Sequence, residues 1–474
     1  MTGGMNFWDV DVWLFIITLA ILFGGMLIAN ALRRKIPFIR KSLIPSSVLG
    51  GFIVLLADKL FELAFGHSMF QVSVLESLTF HGLGLGFVAL AWRSIDKSRG
   101  KKAKTDIFNT STVVVGSYLI QGIVGLVITI ILFYVLGSYA AAGVLLPMGF
   151  GQGPGQAYNW GNIFQSYTDY PAFANGSSFG LTVAALGFVS ASLGGVFFLN
   201  RMRRRGDPRA KIQNAEQIEE LTAEKVTEKG EIPLSESMDK LTVQFALIFV
   251  TYFASFAAMW GITILLDRAG GFFVNTVKPL IWGFNFLVGT AMAILFKNIL
   301  GFFRRKGVMT REYTNNFMLN RISGTMFDIM VTASIAAIDL SAFRQKEFIL
   351  PLLLVCIAGA LITYWYNMRV CKFLFPDYTE EAFLSLYGML TGTASTGVIL
   401  LREIDPLFTT PAAHNLIYQN LWSILLGAPM LLLMGMVARS MTWTWITLGL
   451  LFVLLAIILI LQFRSVLFKK KKVN

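Results

Sequence analysis

The sequence has few cysteines and histidines, and these shortages exclude several classes of protein. Two cysteines, Cys356 and Cys371, and three histidines stand too far apart for a disulfide framework or for metal-ligand spacing. The chain also lacks a GxxxxGK(S/T) phosphate-binding loop, an HExxH motif and a nucleophile paired with a base. We therefore expect no enzyme, no ATP-driven machine and no cofactor.

Most of the chain is rich in apolar residues and poor in charged ones. Only 14% of the 474 residues are charged, whereas 55% are hydrophobic and 41 are phenylalanine. The first apolar run is too long, and has too little positive charge before it, for a cleaved signal peptide. The composition predicts an all-α polytopic membrane protein in contact with lipid. About eleven runs are long enough to cross a hydrocarbon core of about 30 Å, near residues 12–32, 43–60, 76–92, 107–136, 178–200, 241–266, 278–300, 322–339, 347–368, 412–437 and 443–463.

The net charge of +13 is concentrated in alternate connections between these runs, as the positive-inside rule requires of a membrane protein. Basic residues crowd the segments 33–41, 93–104 and 201–211, whereas the segment 137–177 contains neither lysine nor arginine. This pattern places the N-terminus outside and the C-terminus in the cytoplasm. We expect the lysines at 469–472 to lie at lipid headgroups, and we expect no nucleic acid as a partner.

One polar segment, 201–240, divides the chain and is predicted to be a cytoplasmic linker. Residues 1–200 hold five spans that start outside, and residues 241–437 hold five spans that start inside. Residues 438–474 add an extra C-terminal span with a basic tail. Two halves with opposite starting sides predict an inverted-topology repeat of five plus five transmembrane helices. In secondary transporters such a repeat places the substrate where the halves meet, near the middle of the bilayer.

Each half carries a glycine-rich segment after its fourth span. The first reads LLPMGFGQGPGQAYNWG over 145–161, and the second reads LSLYGMLTGTASTGVILL over 384–401. Irregular backbone cannot face lipid, because each unpaired N–H or C=O group would cost several kcal/mol there. The segments are therefore either loops outside the bilayer or re-entrant loops, over about 143–161 and 383–401. Re-entrant loops in inverted halves would enter from opposite sides and approach each other.

The residue types of these segments suit both a cation and an anion. Glycine allows close backbone approach and positive φ, which frees carbonyls to coordinate sodium and amides to bind an anion. Amide and hydroxyl side chains add further donors and acceptors. The predicted binding residues are Gly149, Gly151, Gln152, Gly153, Gly155, Gln156 and Asn159 in the first loop and Thr391, Gly392, Thr393, Ser395 and Thr396 in the second.

Two ionisable residues complete the predicted site, because charge within a span is costly and marks function. Asp328 is predicted either to ligate sodium or to pair with a basic group. Arg402 directly follows the second loop, where it either clamps an acidic solute or pairs with Glu403 or Asp405. The predicted sodium ligands are loop carbonyls together with Thr393, Ser395 and Asp328.

Several motifs resemble those of the bacterial sodium/glutamate symporters, the glutamate:Na+ symporter family. Lys35–Phe38 with Ile44–Gly51 is similar to the family's basic, proline-marked start of its second helix. Val183–Leu199 is similar to its small-residue helix after the first loop, and Asn320–Gly324 with Asp328 to the start of a helix in its second half. The resemblance implies two opposed five-helix halves, each with a re-entrant loop. It also implies a homodimer in the bacterial plasma (inner) membrane that takes up glutamate with sodium by alternating access.

Departures from the family leave the solute open. Family members usually carry a GGHG-type first loop, whereas this chain reads GQGPGQ over Gly151–Gln156, and its second loop lacks the usual proline near the tip. Transport is therefore better supported than glutamate itself, and a sodium-coupled carrier of di- or tricarboxylates, of the 2-hydroxycarboxylate type, also fits these residues. A passive ion channel would use the same carbonyl-lined loops. A membrane component without transport would need neither loop inside the bilayer.

Overall fold

A computed structural model describes residues 7–93, 101–167, 173–208, 239–271, 273–309, 311–406 and 409–464. Most of the predicted linker and the lysines at 469–472 lie outside these ranges. Within them the chain forms α-helices and short 3-10 or π turns, without a β-strand. The predicted all-α class is confirmed.

The helices follow one another as two similar series. In both series a pair of short helices follows a long one, which has 36 residues in the first half and 29 in the second. The first series is α1 (Val10–Lys35), α2 (Pro37–Lys41), α3 (Ser46–Phe65), α4 (Val72–Trp92), α5 (Lys101–Leu136), α6 (Leu145–Phe150), α7 (Pro154–Gln165) and α8 (Gly176–Arg204). The second is α9 (Lys240–Ala269), α10 (Lys278–Gly283), α11 (Asn285–Arg305), α12 (Asn316–Ala336), α13 (Lys346–Leu374), α14 (Thr379–Thr391), α15 (Ala394–Arg402), α16 (Ala412–Tyr418), α17 (Asn420–Val437) and α18 (Met441–Gln462).

Eight helices of the described chain are long and apolar enough to cross a membrane, namely α1, α4, α5, α8, α9, α11, α13 and α18. This confirms the prediction of a multi-pass membrane protein. The predicted spans at 43–60 and 322–339 correspond to α3 and α12, which carry more polar residues. The predicted span at 412–437 is divided at Gln419 between α16 and α17, and the one at 278–300 is divided at Phe284 between α10 and α11.

Local sequence explains several helix ends. The Asp239 carboxylate accepts hydrogen bonds from the N–H groups of Leu241 and Thr242, and the Ser440 hydroxyl accepts one from Trp443 N–H. Both residues therefore satisfy N–H groups in the first turn of a helix, where no backbone partner exists. Gly66 ends α3 in the left-handed region at φ +79°, which costs glycine little.

The helices pack into two bundles. One is a six-helix bundle of α1, α3, α4, α9, α11 and α12, in which α12 packs along both α3 and α4. The other, here termed the hairpin bundle, joins α5, α8, α13, α17 and α18 with both pairs of short helices. The two bundles meet mainly where α4 and α12 contact α7. The hairpin bundle encloses its short helices, since α14 is buried from Glu381 to Thr391.

Corresponding helices of the two halves have corresponding neighbours. In the six-helix bundle α3 packs against α12, and α4 packs against α11. In the hairpin bundle α8 packs against α13, and α17 packs against α5. If each helix is replaced by its counterpart in the other half, the α3–α12 contact becomes the α11–α4 contact, and the α8–α13 contact becomes the α17–α5 contact.

The segment 145–161 is more regular than its glycine content predicts. Residues 145–150 and 154–165 are helical, and only 151–153 leave the helix. The glycines within the helices serve close packing, because a Cβ at Gly149 would lie 2.7 Å from Val183 and one at Gly155 would lie 2.9 Å from Leu83. The predicted irregular loop is thus corrected to a helical hairpin with a short break.

Candidate functional site

The first hairpin turns at Gly151, Gln152 and Gly153. The Pro147 carbonyl accepts hydrogen bonds from the N–H groups of Gly151 and Gln152, at 3.0 and 3.2 Å, and so ends α6. Gly153 has φ +89° and ψ 178°, a region that is essentially restricted to glycine. Pro154 then opens α7 at its first position, where the missing N–H would have had no helical partner and the fixed φ of proline suits a helix start. The Gly-Pro pair therefore encodes the break.

Tyr118 of α5 supports this turn. Its hydroxyl donates to the Gly151 carbonyl at 3.1 Å, and its ring occupies the space that a Cβ at position 151 would need. This explains why glycine is required at position 151, although its φ of −90° is an ordinary one. Tyr118 is absent from the predicted site, because a lone tyrosine in an apolar span is no different in sequence from a packing residue.

The second hairpin turns at Gly392 and Thr393. Its helices α14 and α15 approach closely, since a Cβ at Gly388 would lie 2.8 Å from the Cα of Gly397. Thr393 has extended backbone, with φ −140° and ψ 171°, and its carbonyl accepts the first helical hydrogen bond of α15, from Gly397 N–H at 3.0 Å. Here too, small residues permit a sharp reversal between two packed helices.

Four predicted hydroxyl residues lie at or beside this second turn. Thr391 donates to the Tyr387 carbonyl at 2.6 Å, so its proton is used within the helix. The hydroxyls of Thr393 and Thr396 lie 3.4 Å apart, and Thr396 is fully buried. Thr393 is half-buried and Ser395 is exposed. Thr393 and Ser395 are therefore the hydroxyl residues available to a solute or ion.

The turns of the two hairpins lie close to each other. A Cβ at Gly153 would lie 3.6 Å from Cγ2 of Thr393, which is van der Waals distance. Beside this contact, Gly187 of α8 lies so close to the Thr391 carbonyl that no side chain fits between them. The structure thus brings together the two segments that carry most of the predicted site.

Four helix ends converge at this contact. Helices α6 and α14 end there, and α7 and α15 begin there. The last C=O groups and the first N–H groups of a helix lack partners within it, and the helix dipole adds partial negative and positive charge to these ends. The contact therefore presents main-chain acceptors and donors side by side.

A cavity of about 2100 Å³ lies between the two bundles, and both hairpin turns form part of its wall. The six-helix bundle contributes apolar side chains to this wall, including Leu83, Phe87, Phe286, Phe327 and Met330. It also contributes polar side chains, among them Thr290, Asn298 and Asn320. The hairpin residues that line the cavity are Gly151, Gln152, Gln156, Gly392, Thr393, Ala394, Ser395, Val398, Ile399 and Arg402.

Basic residues outnumber acidic ones among the described residues that line this cavity. Arg304 pairs with Glu312 at 2.6 Å, and Lys102 pairs with Asp377 at 2.9 Å. Even with these pairs the wall keeps an excess of positive charge, which raises the local concentration of anions. The bases are Arg93, Lys102, Lys297, Arg304, Arg305, Arg311, Arg321 and Arg402, and the acids are Asp106 and Glu312.

Two predicted amide residues join the bundles. The side-chain NH2 groups of Gln156 and Asn159 both donate to the Gly283 carbonyl, at 3.2 and 3.1 Å. Gly283 ends α10, directly before the break that precedes α11. Gln156 and Asn159 therefore tie α7 of the hairpin bundle to the start of α11. Gln156 also lines the cavity, whereas Asn159 does not.

The two predicted ionisable residues occupy different places. Arg402 lines the same cavity as the hairpin turns. Asp328 does not line it, and its carboxyl group lies near Ser47 at the start of α3, within the six-helix bundle. The structure therefore groups Arg402 with the turns and sets Asp328 apart from them.

The acidic neighbours of Arg402 have partners of their own. Glu403 lies 3.8 Å from Arg203 of α8. Burial raises the pKa of the Glu403 carboxyl, while Arg203 and Arg33 act in the opposite direction. Asp405 accepts four hydrogen bonds from Thr409 and Thr410. Although burial alone would raise it, these bonds hold the pKa of Asp405 below its usual value.

A carboxylate absent from the predicted site also contacts the hairpin bundle. The carboxyl group of Glu76 of α4 lies near the Tyr158 hydroxyl of α7. The charge of Glu76 inside a predicted span is the sequence signal that singles it out. Together with the Gly283 contact, it gives α7 two polar attachments outside its own bundle.

Neither the protein-family models nor the curated proteins give a match to this chain. The resemblance to sodium/glutamate symporters therefore stays a prediction that rests on the motifs named above.

Proposed function

We propose that this protein is a secondary transporter that carries a small acidic solute, glutamate or a related acid, together with sodium. The observation that carries the proposal is the close approach of the two hairpin turns, at Gly153 and Thr393, in the wall of a cavity between two bundles. Broken helices that meet at such a place leave main-chain groups free to bind a solute and an ion.

The acidic character of the solute follows from the two helix starts and the basic cavity. First-turn N–H groups of α7 and α15 are suited to a carboxylate, and each helix dipole adds about 0.3–1 kcal/mol. Arg402 lines the same space and offers a bidentate partner for a carboxylate. The basic wall attracts anions to this site from the aqueous side.

Sodium suits the remaining groups. The ends of α6 and α14 supply carbonyl oxygens, and Thr393 and Ser395 supply hydroxyl oxygens beside them. Hard cations take oxygen ligands of this kind. We leave Asp328 out of the proposed sodium ligands, because it lies near Ser47 in the six-helix bundle and does not line the cavity.

Alternating access would come from movement of the hairpin bundle against the six-helix bundle. The reciprocal contacts α3–α12 and α4–α11, with α8–α13 and α17–α5, support an inverted repeat of two five-helix halves with a re-entrant hairpin in each.

The basic cavity wall is the side that the positive-inside rule assigns to the cytoplasm, so the arrangement is open inward. In this proposal the six-helix bundle is the static part and pairs with a second copy in a homodimer of a bacterial plasma membrane.

The test uses purified protein in liposomes with an imposed sodium gradient and labelled glutamate, aspartate, malate and citrate. We expect saturable uptake of at least one acid that requires inward sodium and stops when the gradient is removed. Uptake that ignores sodium would remove the symport. Ion flux that does not saturate and needs no solute would instead identify a channel.

A further inference from the structure

Two buried amide side chains lie behind the second hairpin, where α5 packs against α13. Gln121 and Asn367 are both 0% exposed. Among the described residues, Oε1 of Gln121 and Oδ1 of Asn367 have no hydrogen-bond partner. A carbonyl-type oxygen in a protein interior is normally paired, so two unpaired ones near each other require an explanation.

The orientation of the Gln121 amide is determined by the acceptors around its nitrogen. Its Nε2 donates to Oγ1 of Thr363 at 2.8 Å and to the Leu390 carbonyl at 3.0 Å. Thr363 gives its own proton to the Gly359 carbonyl at 2.6 Å, so its oxygen accepts from Gln121. A flipped amide would set its oxygen against two acceptors. Oε1 is therefore the atom left without a partner.

The same reasoning applies to Asn367. Its Nδ2 donates to the Thr363 carbonyl at 2.8 Å and to Oγ of Ser117 at 3.2 Å. Ser117 gives its proton to the Val113 carbonyl at 2.8 Å, so it is an acceptor here. Both amide nitrogens thus bind Thr363, that of Gln121 at its hydroxyl oxygen and that of Asn367 at its carbonyl oxygen.

We propose that these oxygens form a second site for a monovalent alkali cation, sodium in this chain, apart from the hairpin turns. Every proton donor of the two amides and the two hydroxyls is already used, so the cluster offers lone pairs and no protons. The hydroxyl oxygens of Ser117 and Thr363 each accept one hydrogen bond from an amide nitrogen and keep a second lone pair. Four neutral oxygens suit an alkali cation, and a divalent cation would be expected to require carboxylates.

The role of this site in transport rests on the proposed function. Leu390, which accepts from Gln121, lies in the last turn of α14, directly before the break at Gly392. A cation held by Gln121 and Asn367 would fix the end of α14 and with it the second turn. Uptake would then depend on more than one sodium ion.

The test counts sodium ions and does not need transport. Radioactive sodium bound per purified full-length chain is measured at saturation, against choline as the replacement cation. We expect Asn367→Leu to bind one ion fewer than the unaltered chain, and Asn367→Asp, which keeps an oxygen but lacks the NH2 group, to bind the same number. Gln121→Met is the second variant and is also expected to lose one ion.

Gln244→Leu is the matched control. Gln244 is fully buried as well, but its NH2 group donates to the carbonyls of Lys240 and Tyr313 and its oxygen accepts from Asn315 N–H. We expect this variant to keep the full number of ions. An unchanged count in both Asn367→Leu and Gln121→Met, or an equal loss in Asn367→Asp and Asn367→Leu, would overturn the proposal.

This outcome is separable from that of the proposed function. Sodium binding that Asn367→Leu reduces by one ion, in a chain that transports no acid, would keep the site and remove the symport. Sodium-driven uptake with an unchanged ion count in Asn367→Leu would keep the symport and remove the site.

Discussion

Gly153 and Thr393 face each other across the turns of the two hairpins, with 3.6 Å between the Cβ position of Gly153 and Cγ2 of Thr393. The two residues belong to opposite halves of the chain, and each lies in a break between two helices. The turns are so close that a single methyl group added at Gly153 would be in van der Waals contact with Thr393. Substitutions at the turns therefore test whether this contact is the site of binding.

Replacement of Gly153 by alanine is expected to weaken solute binding. The φ of +89° with ψ 178° suits only glycine, and a strained residue there costs about 1–3 kcal/mol. A loss of about 1.4 kcal/mol corresponds to a tenfold change in affinity, so we expect the KM for uptake to rise about tenfold. Gly137→Ala is the control, because Gly137 also has positive φ but no neighbour within 4 Å. Equal effects of both variants on KM would contradict the prediction.

A cysteine at position 395 is expected to react from the cytoplasmic side. Ser395 is exposed in the cavity wall, and the natural cysteines Cys356 and Cys371 are buried, so the background is low. We expect an impermeant maleimide to label Ser395→Cys rapidly in inside-out vesicles and slowly in right-side-out vesicles. Sodium with the transported acid should slow the labelling. Ser192→Cys, at a buried position of α8, is expected to stay unlabelled from both sides.

The fold could be predicted from the sequence as far as hydropathy and glycine content carry information. Long apolar runs indicated the membrane helices, and the two glycine-rich segments indicated where the hairpins lie. Glycine content does not reveal whether a glycine serves a turn or close packing. Gly153 has positive φ, whereas Gly149 and Gly155 lie in helices against Val183 and Leu83. The first hairpin is therefore more helical than predicted.

The candidate site could be predicted only in part, because packing between distant helices decides which side chains meet. The segments around Gly153 and Thr393 lie close together, but Asp328 lies near Ser47 and away from both turns. Spacing along α12 gives the helical face of Asp328 and does not identify the helix opposite that face. The same holds for Tyr118, whose contact with Gly151 joins two elements separated by a turn.

Removal of the Arg402 guanidinium is expected to weaken binding of the acid. A hydrogen bond to a charged group contributes about 1.5–3 kcal/mol, so the KM for Arg402→Ala should rise at least tenfold. Arg402→Lys keeps the charge but not the bidentate geometry, so its KM should lie between those of the unaltered chain and Arg402→Ala. The control is Arg311→Ala, which removes the same charge from an exposed part of the cavity wall. An unchanged KM for every transported acid in Arg402→Ala would exclude Arg402 from the site.

Loss of the Asn159 amide is expected to favour the outward-open arrangement. Asn159 and Gln156 share the Gly283 carbonyl, and loss of one of these hydrogen bonds costs about 1 kcal/mol. This corresponds to about a fivefold shift of the population from the inward-open to the outward-open arrangement. Labelling of Ser395→Cys from outside, which reports the minor arrangement, should therefore rise about fivefold in Asn159→Ala. Asn162→Ala, at an exposed position of α7, should leave the rate unchanged.

The connection between α15 and α16 is expected to lose stability in acid. Asp405 accepts hydrogen bonds of 2.6–2.9 Å from the N–H and hydroxyl groups of Thr409 and Thr410, and its pKa is lowered in the folded chain. The unfolded carboxyl takes up a proton near pH 3.9, so the stabilisation is present above that pH and is lost as the pH falls through the lower, folded pKa. Asp405→Asn should therefore be about 2 kcal/mol less stable at pH 7, with a difference that shrinks below about pH 4. The midpoint of thermal unfolding, measured from pH 7 to pH 3, checks this, and Thr410→Val should show a smaller loss at pH 7. A difference between Asp405→Asn and the unaltered chain that stayed constant down to pH 3 would show that the Asp405 charge is not what stabilises this connection.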